Sequence, residues 1–270
     1  MNEISSSATV TIDPAFVAQL EHRAEAGEVK AMFDLACLYD VPVKGGVELD
    51  LHKAFHWYSR AAGEGHAWAQ FALGNMMELA QGTSRNDLAA RQWYEAASAQ
   101  GIAEAQMHLA RMLQAGRGGP ADLSRAVELY ERAAAQGHEQ AATNLALLHL
   151  QGTLPAADPA KALDLLTFAA DKLDGLAHLV LGDLHLQGTL IQRHGGIALM
   201  HYCVASRLLT AGPDARRAVD GKERLLARQP QLRQEYESQA QEFVDSRAGA
   251  AAARFTRGHG EAGSSVQDES

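Results

Sequence analysis

Apolar residues recur along this chain in blocks that repeat. Leu35-Ala36, Leu73-Gly74, Leu109-Ala110, Leu145-Ala146 and Leu181-Gly182 act as anchors, spaced 38, 36, 36 and 36 residues apart. A fixed period of this size marks a repeat array, in which each unit is too small to bury its apolar face alone. Within one period the spacing is helical. In the third copy Ala105, Leu109, Met112 and Leu113 stand at i, i+4, i+7 and i+8, one helix face. Gly116-Arg117-Gly118-Gly119-Pro120 then breaks the helix. Asp122 suits an N-cap, Ala126, Leu129, Tyr130, Ala133 and Ala134 make a second stripe, and Gly137 closes it. The unit is therefore helix A, loop, helix B, turn.

The other copies fit this frame. The first uses Ala31, Leu35, Leu38, Tyr39, the loop Lys44-Gly45-Gly46, then Ala54, Trp57, Tyr58, Ala61 and Ala62. The fourth uses Leu145, Leu148, Gly152, Asp158, Ala162, Leu165, Ala169 and Ala170, and the fifth Leu181, Gly182, Gly188, Ala198, Tyr202 and Ala205. Gly82, Gly116, Gly152 and Gly188 follow helix A and suit a left-handed C-terminal turn. The small residues let helix axes approach closely, and Leu109, Met112, Leu129 and Tyr130 fill the space between.

The motif A-x-x-x-L-G/A-x-x-Y, a Gly-rich loop, then D-x-x-x-A-x-x-W-Y-x-x-A-A-x-x-G resembles the Sel1-like repeat, a branch of the tetratricopeptide superfamily. The match is sharpest at Leu73-Gly74 with Trp93-Tyr94, and at Asp50, Ala54, Trp57-Tyr58 and Ala61-Ala62-Gly63. The chain departs from it where Trp-Tyr becomes Leu165-Leu166 and His201-Tyr202, and where the helix A aromatic becomes His149 and His185. The resemblance implies an all-α, right-handed α-solenoid of about five repeats with helical caps, of a bacterial type.

The expected divisions are a disordered N-terminus over 1–12, a capping helix over 13–27, and repeats over 28–65, 66–101, 102–137, 138–175 and 176–212. C-terminal capping helices would follow over 213–250, then a disordered tail over 251–270. Asp13-Pro14 reads as N-cap and N1 of the first cap. Two further helices are expected near Pro213 to Arg228 and Pro230 to Arg247, with Leu225, Leu226, Leu232, Tyr236 and Phe243 inward.

Composition narrows the function. A net charge of −9 disfavours nucleic acid, whose phosphates need clustered Lys and Arg. No apolar stretch approaches a membrane span, and the N-terminus lacks a secretory pattern. The two cysteines, Cys37 and Cys203, lie far apart in the array, as expected of a cytoplasmic, reducing setting. Family resemblance places helix A on the concave face, with positions −5, −2, +2 and +5 from the anchor entering the groove. These give Lys30, Phe33, Cys37 and Asp40; Trp68, Phe71, Asn75 and Glu78; Glu104, Met107, Arg111 and Gln114; and Gln140, Thr143, Leu147 and Leu150. Phe33, Phe71 and Met107 would form a ladder flanked by Trp68, Asn75 and Arg111, the residue types enriched in interface cores; packing between helices is the competing reading.

The remaining candidates are weaker. His149, His178, His185, His194 and His201 crowd two units, but a metal needs three or four converging ligands, and His also fills aromatic packing slots. His52 and His56 lack the H-E-x-x-H pattern, and Lys44-Gly45-Gly46 and Arg117-Gly118-Gly119 lack a phosphate loop's G-K-[ST] ending. No cofactor or metal is expected. The sequence thus predicts a non-enzymatic scaffold or adaptor that binds a peptide or protein in its groove. Self-assembly of the array is the second reading. A β-lactam hydrolase is the third, against which stands the absence of the paired cysteines of such relatives.

Overall fold

A computed structural model describes residues 13–41 and 47–260. Among them are thirteen α-helices, one 3-10 turn and no strand. The expected N-terminal stretch over 1–12, the loop Lys44-Gly45-Gly46 and residues 261–270 lie outside the described residues. The chain divides into two compact units, one ending at Gln136 and the other beginning at Gly137. The fold class is an all-α repeat solenoid.

The first unit holds α1 (Pro14–Glu25), α2 (Val29–Asp40), α3 (Leu51–Gly63), α4 (Ala67–Leu79), α5 (Asp87–Ala99), α6 (Ala103–Ala115) and α7 (Leu123–Ala135). Each helix packs on the next, as short antiparallel connections require. Helix starts follow the capping chemistry. Asp13 with Pro14 opens α1, and Asp50, Asn86 and Asp122 each accept a backbone N–H at the start of α3, α5 and α7; such a cap contributes about 1 kcal/mol. Each B helix is also hung from the preceding A helix. The N–H of Asp50, Asn86 and Asp122 donates to the carbonyl of Tyr39, Met77 and Leu113, all at 3.0 Å. Alanines 31, 36, 54, 61, 69, 90, 97, 105, 110, 126 and 133 are buried where helices meet, and Leu35, Leu73 and Leu109 fill the space between them.

One glycine shows why the loop composition is fixed. Gly82 has φ +63° beneath α3, and a Cβ there would lie 2.1 Å from the Leu51 carbonyl oxygen. Both the left-handed backbone and the contact exclude a side chain.

The second unit holds α8 (Glu139–Leu150), α9 (Pro159–Asp171), α10 (Gly175–Gln187), α11 (Gly195–Leu208), α12 (Gly212–Leu226), the 3-10 turn Pro230–Leu232 and α13 (Arg233–Gly260). The frame of α8 to α11 is the same as in the first unit, with local changes of chemistry. The N–H of His194 donates to the His185 carbonyl, but that of Asp158 donates to the ring Nδ1 of His149. The left-handed turn after α9 carries Leu173 at φ 65°, where the first unit has Gly27, Gly65 and Gly101. Leu226 and Ala240 are buried with Leu199, Cys203 and Val204, and Tyr236, Phe243 and Val244 pack against that cluster. Leu232 is half-buried.

Helix α13 runs to Gly260. The run Ala248 to Arg254 is mostly alanine, the strongest helix former, and this propensity favours continuing the helix.

Candidate functional site

In the first unit the tyrosine of each B helix reaches across to the A helix that precedes it. Tyr58 Oη bonds Asp40 at 3.3 Å, Tyr94 Oη bonds Glu78 at 2.8 Å, and Tyr130 Oη bonds Gln114 at 3.0 Å. The middle tie is the hub of a larger network. Glu78 is 5% exposed and accepts from Tyr94, from Arg111 at 2.7 Å and from Arg117 at 2.7 Å, with His108 Nδ1 at 3.3 Å. Arg117 also grips Asp87 through two nitrogens at 2.9 and 3.1 Å, and Arg85 closes on the same carboxylate. Burial alone would raise the Glu78 carboxyl; hydrogen bonds from His108, Tyr94 and Arg117 and the charge of Arg111 outweigh it and hold Glu78 well below the usual range. Asp87 is lowered by Arg85 and Arg117.

Aromatic rings continue this face. Phe33 stacks on His66 at 4.3 Å, and Phe71 meets Tyr94 at 5.9 Å and the edge of His108 at 5.6 Å. Trp68 stands edge-on to Phe71 at 6.0 Å yet is 44% exposed. Such a tryptophan has one supported edge and one open face.

Of the residues expected to enter a groove, Lys30, Trp68, Arg111, Gln114 and Gln140 are exposed, and Phe33, Cys37, Asp40, Phe71, Asn75, Glu104, Leu147 and Leu150 are half-buried. Glu78, Met107 and Thr143 are not available to a partner: Met107 is 4% and Thr143 1% exposed. In the second repeat the reason is geometric: its −2 and +5 side chains fill the gap beside the next A helix, Phe71 against His108 and Glu78 against Arg111. Gln140, Thr143, Leu147 and Leu150 belong to α8 of the second unit.

The repeat motif that carries these ties matches a known family. The Sel1 repeat model covers residues 29–66, 69–102, 103–138 and 139–172, more than half of the chain. The chain belongs to the Sel1 repeat family. A crystal structure of a Sel1 repeat protein from Oxalobacter formigenes is similar, with 28% identity over 74% of this chain and 86% of that one, at a TM-score of 0.62. So is c5321, a protective antigen of uropathogenic Escherichia coli strains with the SLR fold, at 19% identity over 94% of this chain and 75% of that one, TM-score 0.51. No curated protein matches the chain.

Within the Sel1 frame the second unit replaces the tyrosine tie. The fourth repeat has Leu166, fully buried, where the others have tyrosine, and Leu150 where they have Asp40, Glu78 and Gln114. Tyr202 of α11 finds its acid one helical turn earlier, donating to Asp183 at 2.6 Å because Leu186 occupies the usual place. Among the described residues no group of three or more His, Cys, Asp or Glu could hold a metal ion. His194 caps α11, accepting the Ile197 N–H at 3.1 Å. Exposed His56 sets its ring edge-on to Trp57, and His52 is exposed. Arg117-Gly118-Gly119 is no phosphate cradle, since Arg117 is committed to Glu78 and Asp87. Cys37 and Cys203 are free thiols, and no helix among the described residues is long and apolar enough to cross a membrane.

Sequence reasoning misses the Glu78 hub as a unit, although the sequence carries a signal for it. In the first four repeats the helix B tyrosine and the +5 residue of helix A change together, Tyr58 with Asp40, Tyr94 with Glu78, Tyr130 with Gln114 and Leu166 with Leu150, while the fifth keeps Tyr202 beside Leu186 and moves its acid to Asp183.

Proposed function

We propose that the first unit binds a peptide or protein segment on the face formed by α2, α4 and α6, with Trp68 as the principal contact. Sel1 repeats are generally protein–protein interaction modules, non-enzymatic in most cases. The observation that carries the reading is the exposed Trp68, braced by Phe71 on a face whose other large side chains are tied down. A large apolar ring held in place and left open to water loses little side-chain freedom on binding, which is what interface anchors share. Arg111 adds directional chemistry. Its guanidinium has five N–H donors, engages Glu78, and stays 45% exposed, so donors remain for a carboxylate or carbonyl of the partner.

The α10–α11 pair completes the array as a fifth repeat in this reading. A Cβ on Gly182 would meet the Tyr202 ring at 3.0 Å, just as one on Gly74 would meet Tyr94 at 2.9 Å. A reducing, cytoplasmic setting suits the two free thiols. The protein then acts as an adaptor, joining a partner held on the A-helix face to whatever its other surfaces carry.

The test is selection of binders from a random peptide library on the full chain, followed by affinities for two variants. Trp68→Ala should weaken the selected peptides at least about tenfold. Phe168→Ala, which removes an exposed ring of the second unit beneath Lys172, should leave them unchanged. Equal binding by wild type and Trp68→Ala overturns the assignment; a loss confined to Phe168→Ala moves the surface to the second unit.

A further inference from the structure

The second unit forms a pocket of about 350 Å³, half open to solvent, among α9, α10, α11 and α13. Its walls include Leu163, Met200, Val204 and Phe243, and three imidazoles, His178, His185 and His201, face it together. His201 sits between the other two, with ring centroids 5.1 Å from His178 and 5.7 Å from His185. The size falls in the range of small-ligand sites, which pair apolar walls with a few placed polar atoms.

The protons of these rings can be assigned. His178 Nε2 lies 3.1 Å from the Ala170 carbonyl oxygen, which only accepts, so Nε2 carries a hydrogen. Gln70 makes the equivalent bond in the first unit, its Nε2 donating to the Ala62 carbonyl at 3.3 Å. His178 holds the place of that glutamine, three residues before the anchor leucine. A neutral His178 then has a bare Nδ1, 2.9 Å from His201 Nδ1. Two bare nitrogens would repel at that distance, so His201 Nδ1 carries the hydrogen and donates it. His201 Nε2 is left as a lone pair, with no hydrogen-bond partner among the described residues. His185 Nδ1 is buried and also has no partner. Burial supports the neutral state of the pair, lowering His178 to about 4 and His201 to about 3.

The pocket therefore offers apolar walls and, at His201 Nε2, one acceptor without a protein donor. A ligand whose donor meets that lone pair while its ring covers the apolar wall gains from both contacts. An anion would face that lone pair. A metal ion finds His178 already committed at both nitrogens, leaving two imidazoles where three or more ligands are needed. At the rim Asp171 is paired with Arg247 at 2.8 Å, so no free charge calls for a cation.

We infer that this cavity is a binding site for a neutral aromatic ring bearing one hydrogen-bond donor, a phenol, whose hydroxyl donates to His201 Nε2. The ring lies against Phe243 and Met200, and His178 serves as a positioning residue that fixes the tautomer of His201. The phenol can be a free small molecule or a tyrosine side chain of a bound peptide.

The full chain is titrated with p-cresol and with toluene, which share shape and differ by the hydroxyl, while imidazole resonances are followed by NMR. Binding of p-cresol at least about tenfold tighter than toluene is expected, with shifts at the His201 and His185 rings. His201→Phe, which keeps a ring and removes the lone pair, should bring p-cresol down to the level of toluene. Leu163→Phe, which fills the chamber, should abolish both. Equal affinity for the two probes overturns the proposal, and this comparison needs no variant. So does failure of both to bind at millimolar concentration, or a site that takes up Zn²⁺ and not p-cresol. N-acetyltyrosinamide bound as well as p-cresol supports the proposal with a peptide side chain as source; p-cresol bound without it supports the proposal with a free phenol.

Discussion

The second and fourth repeats have one backbone and opposite interiors. In the second repeat Tyr94 of α5 meets the buried Glu78 of α4, and two arginines and a histidine converge on that carboxylate. In the fourth repeat, in the other unit, the corresponding positions are Leu166 and Leu150. Both arrangements are self-consistent, because a buried polar atom is tolerated only when its partner is supplied. The frame of caps, left-handed turns and small residues is set apart from this choice. It accepts either a polar tie or an apolar contact at the seam between helices A and B. The polar seam braces the face that bears Trp68, and the second unit brings three imidazoles together at one pocket.

Acid should separate the two units most strongly. Unfolded imidazoles take up a proton near pH 6.5, whereas His178 and His201 resist until about 4 and about 3. Burial is the main cause for both; for His178 the Ala170 carbonyl and Asp171 act in the opposite sense, and for His201 the neighbouring His178 and His185 add to burial. In that window protons bind the unfolded chain preferentially. Stability is complete above pH 6.5 and falls as the pH drops, by up to about 1.4 kcal/mol per pH unit for each ring. In the first unit the same sign arises at half-buried His66. The Glu78 and Asp87 contributions are present above the ordinary carboxylate range and are lost only as the pH falls through their lowered folded values. Hydrogen exchange read by mass spectrometry between pH 7 and pH 5 should show the second unit loosening first; equal loosening, or the first unit leading, contradicts the imidazole assignment.

Exchanging the seams is the next largest effect. Leu166→Tyr alone places a hydroxyl against Leu150 and should cost about 2–3 kcal/mol. Adding Leu150→Gln should restore about 1 kcal/mol through the new hydrogen bond, read as a coupling energy in denaturant melts. Additive single effects would mean that the two positions do not face each other. In the first unit Glu78→Gln should cost about 2 kcal/mol, because Arg111 and Arg117 lose their shared carboxylate but keep access to water. Tyr94→Phe removes a single bond and should cost about 1 kcal/mol by the same measurement.

Most of the frame is legible in the amino-acid sequence. The period, the Asp and Asn caps and the left-handed glycines all follow from local chemistry, and each recurs where the spacing puts it. The surface is less legible. Positions −2 and +5 stand opposite the anchor leucine, so a single helix read alone exposes them. In the fold Met107 and Glu78 are buried, Glu78 beneath Arg111 and His108 of the next A helix, whereas Lys30, Trp68, Arg111, Gln114 and Gln140 stay exposed. The imidazole cavity is hidden for a different reason: His178, His185 and His201 come from two helices with different registers, and their spacing does not announce that they meet.

Partner binding on the A-helix face of the first unit, as proposed above, can be mapped residue by residue. The most direct measurement is a backbone amide NMR footprint of the full chain with a peptide selected from a random library. Shifts are expected to cluster at residues 66–78 and 104–114, with the Trp68 indole N–H moving most. Shifts confined to the B helices, or to the second unit with the Trp68 indole unmoved, would contradict it.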